Sequence, residues 1–281
     1  MFDTHCHLNF KAFEENLEIV IADAAKAGVT QIIIPGTDIS SSKKAVEISR
    51  NHKNIYASVG IHPHHVFQAQ SSNFKSQIHN LPIKTEVKEI ERLLNNKKVV
   101  AVGEVGVDRH YYKNTKYANY QIDESFIKLQ KELLASQIEL ALRYEKSLIL
   151  HNWDAKDDLL EILRKKWEKR LEGSTVFHCC EPDKELLNFA VSHDVFIGVD
   201  GDVTYDKKKQ SFVKNIPLDH LVFETDSPYL TPEPVRSKRK FPNEPKNLTA
   251  TADFLAKLVD LSIDRLIEIA DENSRRLFQI D

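Results

Sequence analysis

The 281-residue sequence predicts an α/β fold, a (β/α)8 TIM barrel spanning residues 1–281 as a single domain. Three observations carry this prediction. Eight short β-branched runs alternate with segments of helical period, glycines punctuate both ends of those units, and metal-type ligands fall at the ends of the apolar runs. The runs read as strands are residues 2–5, 31–34, 55–60, 99–103, 147–151, 174–178, 195–198 and 221–225. Amphipathic segments lie between them at 15–27, 41–52, 87–95, 126–144, 155–171, 184–193 and 212–215, and closing helices follow Pro245. Within the 126–144 segment, Leu134, Ile138 and Ala141 fall at i, i+4 and i+7, one helical stripe. Gly28 and Gly173 sit where a helix stops before a strand. Gly36, Gly60, Gly103, Gly106, Gly198 and Gly201 follow strand runs, where the chain is expected to turn over the barrel top. The least regular stretches, 66–85 and 110–124, read as loops on the same face. A doubly wound open sheet is the competing architecture.

A chain of this length buries a full core without disulfides. Lys+Arg 39 against Asp+Glu 42 gives a net charge of −3, which argues against coating of duplex DNA by bulk charge and leaves room for one local basic patch. Three cysteines, Cys6, Cys179 and Cys180, cannot pair completely, which suits a reducing compartment. Of these, Cys6 and Cys179 alternate away from the neighbouring histidines and are expected to be buried. The opening MFDTHCHLNF lacks the basic and apolar regions of a signal peptide, and charges break every apolar run short of the ~20 residues that cross a bilayer. The expectation is a soluble, cytoplasmic protein with no membrane partner and no obligatory protein partner. No P-loop, no GxGxxG after a strand and no GxSxG elbow occurs, which removes NTPase, dinucleotide oxidoreductase and serine hydrolase chemistry.

The strongest local signal is Asp3-Thr4-His5-Cys6-His7. Residues two apart in a strand face the same way, so His5 and His7 present both imidazoles to one point, an arrangement suited to a divalent metal. Other strands end similarly: Gly-Glu104-Val-Gly-Val-Asp108, Leu-Ile-Leu-His151, Val-Phe-His178 and Phe-Glu224-Thr-Asp226. A parallel barrel gathers these ends in one mouth. The set exceeds the three or four ligands of one metal, and a carboxylate such as Glu104 can bridge two cations. A closed structural site is the bland alternative, disfavoured because such sites are Cys-rich.

DTHCHL at the start, GIHPH at 60–64, GEVGVD at 103–108, FHC at 177–179, ETDSPYL at 224–230, NEP at 243–245 and ENSRRLF at 272–278 together resemble the TatD family of metal-dependent deoxyribonucleases. The motifs run in order over the whole chain. The resemblance implies phosphodiester hydrolysis at a centre of one or two divalent cations (Mg, Mn or Zn). Position by position, it implies His5, His7, Glu104 and Asp226 as ligands of the first cation and Glu104, His151 and His178 as ligands of the second. It places the His62–His64 motif at the substrate mouth. The sequence departs from the family pattern at three strand ends. The usual arginine after the fifth-strand histidine is Trp153, Cys179-Cys180-Glu181-Pro182 follows His178, and Asp200-Gly201 stands where Ser-Gly is usual. Losing the arginine removes a phosphate fork, and Trp153 offers a plane for a base instead.

The reading is a DNase working exonucleolytically on single-stranded DNA or frayed ends, 3′ ends among them, because paired duplex is too wide for a barrel pocket. Asp226 is its proton acceptor, and Glu104 the shared carboxylate. His62, His64, Trp153, Arg236, Lys238, Arg239 and Lys240 are the expected substrate contacts, the last four forming a basic loop after the eighth strand. Asp108 is expected to orient a ligand, and Tyr111, Tyr112 and Tyr229 to add stacking surface. The alternatives are a hydrolase of small amides, lactones or phosphoesters, and a non-catalytic metal-dependent binding protein.

Overall fold

The computed structural model of the chain describes residues 1–66, 81–115, 117, 120–238 and 241–280, with backbone only at 81–84. Eight parallel strands pair in sequence order: β1 (Phe2–Asp3), β2 (Gln31–Pro35), β3 (Ile55–Val59), β4 (Val99–Asp108), β5 (Ser147–Trp153), β6 (Thr175–Phe177), β7 (Val195–Val199) and β8 (Leu221–Phe223). The circle closes between β8 and β1. Thr4 N–H donates to Phe223 O at 3.0 Å, Asp226 N–H to His5 O at 2.9 Å and His7 N–H to Ser227 O at 2.8 Å. This sequential order excludes the doubly wound sheet, whose strand order must reverse.

Helices α1 (Leu17–Lys26), α2 (Ile39–Asn51), α3 (Leu81–Leu93), α4 (Glu124–Tyr144), α5 (Lys156–Lys166), α6 (Lys184–Ser192) and α7 (Lys207–Val213) fill the crossings, and α8 (Leu248–Leu258) and α9 (Ile263–Phe278) follow β8. Aspartates start several of them. Asp38 accepts from Ser41 N–H at 2.8 Å, Asp123 from Phe126 N–H at 2.8 Å and Asp206 from Lys208 N–H at 2.7 Å. That last cap opens α7 ahead of the expected 212, because its first turn is lysine-rich and shows no apolar stripe.

One side-chain layer fills the inside of the barrel, with Phe2, Ile33, Ile149, Val176, Phe196 and Val222 meeting Leu277 and Phe278 of α9. The closing helix plugs the bottom, where Asn273 Nδ2 donates to Leu218 O and Leu221 O. The glycine reading needs correction at three places. Gly103 and Gly106 lie inside β4, and Gly198 lies inside β7. They are there for space: a Cβ on Gly106 would fall 1.9 Å from His151 O, and one on Gly198 would fall 2.4 Å from a Glu224 carboxylate oxygen. Gly28, by contrast, has φ +86°, the left-handed exit expected after α1. No described helix is long and apolar enough to cross a membrane.

Candidate metal centre

Glu104, near the top of β4, stands at the centre of the mouth with a carboxylate only 5% exposed. Its Oε2 lies 3.5 Å from His5 Nε2 and 3.6 Å from His7 Nε2. Its Oε1 lies 2.9 Å from His151 Nδ1, 3.5 Å from His62 Nε2 and 3.7 Å from His178 Nε2. Asp226 closes the cluster from β8, its Oδ1 being 3.5 Å from His7, 3.8 Å from His5 and 3.9 Å from His178. A φ of +48° turns Asp226 out of the strand direction. All six residues expected as metal ligands are therefore within one cluster.

The supporting contacts differ around it. His178 Nδ1 faces Glu224 Oε1 at 3.1 Å, and Gly198 leaves the room for that buried carboxylate. His151 Nε2 faces Asp108 Oδ2 at 3.1 Å, an oxygen that also accepts from Tyr112 OH at 2.7 Å. Asp108 thus orients the His151 ring and fixes the Tyr112 hydroxyl, while Tyr112 lines the cavity. His5 and His7 have no such carboxylate behind them among the described residues: the His5 ring stacks on His178 at 3.5 Å and the His7 ring on Phe10 at 4.2 Å. Deeper, Asp3 is fully buried and accepts from Thr225 Oγ1 at 2.7 Å, tying β1 to the end of β8.

Electrostatics follow this geometry. Burial opposes charge on Glu104, yet the imidazoles of His62, His151 and His5 outweigh it and hold the carboxyl well below its usual range. Burial likewise opposes charge on His151 and His178. Asp108 and Glu104 outweigh it at His151, raising it to about 10, and Glu224 and Glu104 raise His178 to about 9. His5 is pushed down by burial and by the neighbouring His178. His5 Nε2 and His7 Nε2 sit 3.3 Å apart, both aimed at carboxylate oxygens. Such a donor set fits divalent cations.

His62 also reaches Glu104, which sequence alone did not indicate. Burial, joined by the neighbouring His151, holds its pKa well below the usual histidine range. Its Nδ1 accepts from His64 N–H at 3.1 Å, which in the neutral ring puts the proton on Nε2, the atom that faces Glu104, and His62, Glu104 and His151 also form a group that could hold a cation. His64 lines the cavity with Nε2 2.9 Å from Thr115 Oγ1.

The mouth is a cavity of about 920 Å³ whose lining includes His7, His62, Glu104, Trp153, Asp226 and Tyr229. Trp153 and Tyr229 are exposed and line it, whereas Tyr111, also exposed, is not among its lining residues. In the basic loop, Arg236 is exposed, lies 4.1 Å over the Tyr205 ring and sits 3.6 Å from Glu233; Lys238 is exposed. Arg239 and Lys240 lie outside the described residues. Two cations escaped the sequence reading: Lys207 and Lys208 are exposed directly after Asp206, which lines the cavity. Cys179 corrects another expectation. With φ +45° it leaves β6 in a turn, lines the cavity and sits 3.7 Å from Lys209 Nζ. Buried Lys209 bonds Asp200 at 2.9 Å and Asp202 at 2.7 Å, so the Asp200 that departs from the family pattern is matched by an internal ammonium.

A parallel barrel with a His/Glu/Asp cluster at its mouth defines a metal-dependent hydrolase barrel. The family described as TatD related DNase matches residues 2–279, and the chain belongs to the TatD family. It is 32% identical over 283 residues to a Bacillus subtilis protein described as the uncharacterized metal-dependent hydrolase YabD, covering 100% of both chains. To the Escherichia coli metal-dependent hydrolase YcfH it is 30% identical over 286 residues, covering 100% of this chain and 96% of that one. Among solved structures it is similar to YJJV, a TatD homolog from Escherichia coli, with a TM-score of 0.83, 27% identity and coverage of 100% and 98%.

Proposed function

We infer that this metal-dependent hydrolase cleaves phosphodiester bonds in DNA, working from single-stranded or frayed ends. The observation that carries the reading is the two-faced carboxylate of Glu104, with Oε2 toward His5 and His7 and Oε1 toward His62, His151 and His178. One carboxylate shared by two ligand groups suits two-cation phosphoryl chemistry. His5, His7, Glu104 and Asp226 would hold one cation, and Glu104, His151 and His178 the other. Bound there, divalent cations supply charge to stabilise the phosphoryl oxygens and lower the pKa of water.

The chain's own side chains do the remainder. Asp226 is the acceptor for the attacking water's proton, and its Oδ1 reaches both ligand groups. The Nε2–H of His62 donates to a phosphate oxygen, the role its tautomer leaves open. Arg236, Lys238, Arg239 and Lys240 steady flanking phosphates, while Trp153 and Tyr229 at the rim offer planes that only unpaired bases reach.

The test is metal-dependent cleavage of matched single-stranded and blunt duplex oligonucleotides by the wild type and by Asp226→Asn. Faster cutting of the single strand, abolished by chelation and by Asp226→Asn with DNA affinity retained, is the expected result. Intact oligonucleotides in Mg, Mn and Zn, alongside turnover of a small ester or amide, would replace this reading with the small-substrate one.

A further inference from the structure

The ends of β5 and β6 carry side chains that the metal cluster does not use. Trp153 ends β5 and is 42% exposed. The His110 ring covers it at 3.9 Å and 16°, and Tyr112 meets it edge-on at 5.9 Å. Trp153 lines the cavity and His110 does not, so the stack supports the indole from outside. The two residues flanking Trp153 both donate to Glu181: Asn152 through Nδ2, and Asp154 through its backbone N–H at 3.0 Å. With Nδ2 committed there, Asn152 turns Oδ1 away, and that buried oxygen has no partner among the described residues. Beside an aromatic plane, this wall therefore offers the half-buried Glu181 carboxylate, an acceptor only, held in place by Asn152 and the Asp154 backbone.

Charge decides what fits. Glu181, Asp202 and Asp206 line this side, and the one lysine or arginine lining the cavity among the described residues, Lys209, is committed to Asp200 and Asp202. A phosphate placed here would meet like charge. A flat neutral group with N–H donors on its edge would not.

We propose that Trp153 and Glu181 form a nucleobase subsite, the indole stacking the base and the carboxylate, positioned by Asn152, reading an exocyclic amine. Stacking tolerates any base, whereas a carboxylate acceptor discriminates by the amine it meets. Guanine, adenine and cytosine carry that amine. Thymine presents a lone imino N–H between two carbonyls, whose oxygens face the carboxylate unfavourably. For its substrate this subsite rests on the nucleic-acid reading above, but its test requires no hydrolysis.

Free deoxynucleosides, which carry no phosphate, are titrated into the full-length protein with Mg present, and tryptophan fluorescence is followed. The second tryptophan, Trp167, packs against Phe189 and His193, so quenching at the mouth reports Trp153. Deoxyguanosine, deoxyadenosine and deoxycytidine are expected to bind roughly tenfold more tightly than thymidine, the scale of one base-reading contact. Glu181→Gln should erase the difference while quenching persists, and Trp153→Phe should remove the fluorescence change. Equal affinities, no binding, or a preference that survives Glu181→Gln overturns the subsite whatever the protein does to DNA. The wild-type ranking decides the matter even where the variant fails to fold. Discrimination among nucleosides with every oligonucleotide left intact would uphold the subsite and sink the nuclease reading.

Discussion

On the Oε2 side of Glu104, His5 and His7 leave their Nδ1 atoms without a hydrogen-bond partner among the described residues, and ring stacking on His178 and Phe10 holds them. On the Oε1 side, His151 and His178 are each gripped by a carboxylate, Asp108 and Glu224. One half of the cluster is aimed by packing and strand pairing, the other by charge. A carboxylate behind a ligand histidine fixes the ring and raises its basicity, so the charge-built half should respond to mutations that the packed half ignores.

The largest expected effect abolishes the contrast. Glu104→Ala removes the group common to both halves. Activity should fall on the order of a thousandfold, the equivalent of several kcal/mol of charge stabilisation. Steady-state kinetics against any one histidine variant measures this, and an activity loss smaller than that of His151→Ala would break the shared-carboxylate account.

Next comes the Asp200–Lys209–Asp202 group beside the cavity, in which Asp200 and Lys209 are buried. Lys209→Met leaves the buried Asp200 carboxylate and the half-buried Asp202 beside it unmatched and should cost about 3–5 kcal/mol of stability near pH 7. The sign with pH follows from Asp200, whose carboxyl Lys209 holds down, at about 2, against the effect of burial. A depressed carboxyl contributes stability above its unfolded value and loses it as pH falls toward the folded one. The gap between wild type and variant should therefore narrow from pH 7 to pH 3. Urea denaturation across that range tests it, and a constant gap would reduce Lys209 to a packing role.

Smaller and one-sided, Asp108→Asn and Glu224→Gln should each weaken metal binding by roughly 10–100-fold, the cost of losing a partner behind a ligand. Calorimetric titration should show only the second cation affected. Equal weakening of both would erase the distinction between the halves. Smallest of all is the basic loop beyond Asp226. A Lys238/Arg239/Lys240 triple alanine variant in an Asp226→Asn background should lower the salt slope of single-strand binding by ~0.7 for each phosphate no longer neutralised. Parallel slopes would make the loop merely solvated and would shift the DNA path toward Lys207 and Lys208.

The same contrast governs what the sequence made legible. His5, His7, Glu104, His151, His178 and Asp226 could be found because a parallel barrel converts strand ends into one mouth, so one-dimensional position implies three-dimensional convergence. Glu224 and Asp108 were visible as strand-end carboxylates, but which histidine each would grip depended on barrel curvature. Glycine was misread at Gly106 and Gly198, since a close approach by another strand leaves no local signature in the sequence. Cys179 was placed by alternation on a strand that had already ended at Phe177. The tie between Glu181 and both neighbours of Trp153 joins two loops that pattern cannot pair.

The central claim is that Glu104 faces two cation positions. Crystals of the wild type, His5→Ala and His151→Ala grown with Mn and measured for anomalous scattering test it directly. The wild type should show two peaks, one on each side of Glu104 and ~3.5–4 Å apart. His5→Ala should keep only the peak beside His151 and His178, and His151→Ala only the peak beside His5 and His7. A single wild-type peak, or the loss of both peaks in either variant, would contradict the account.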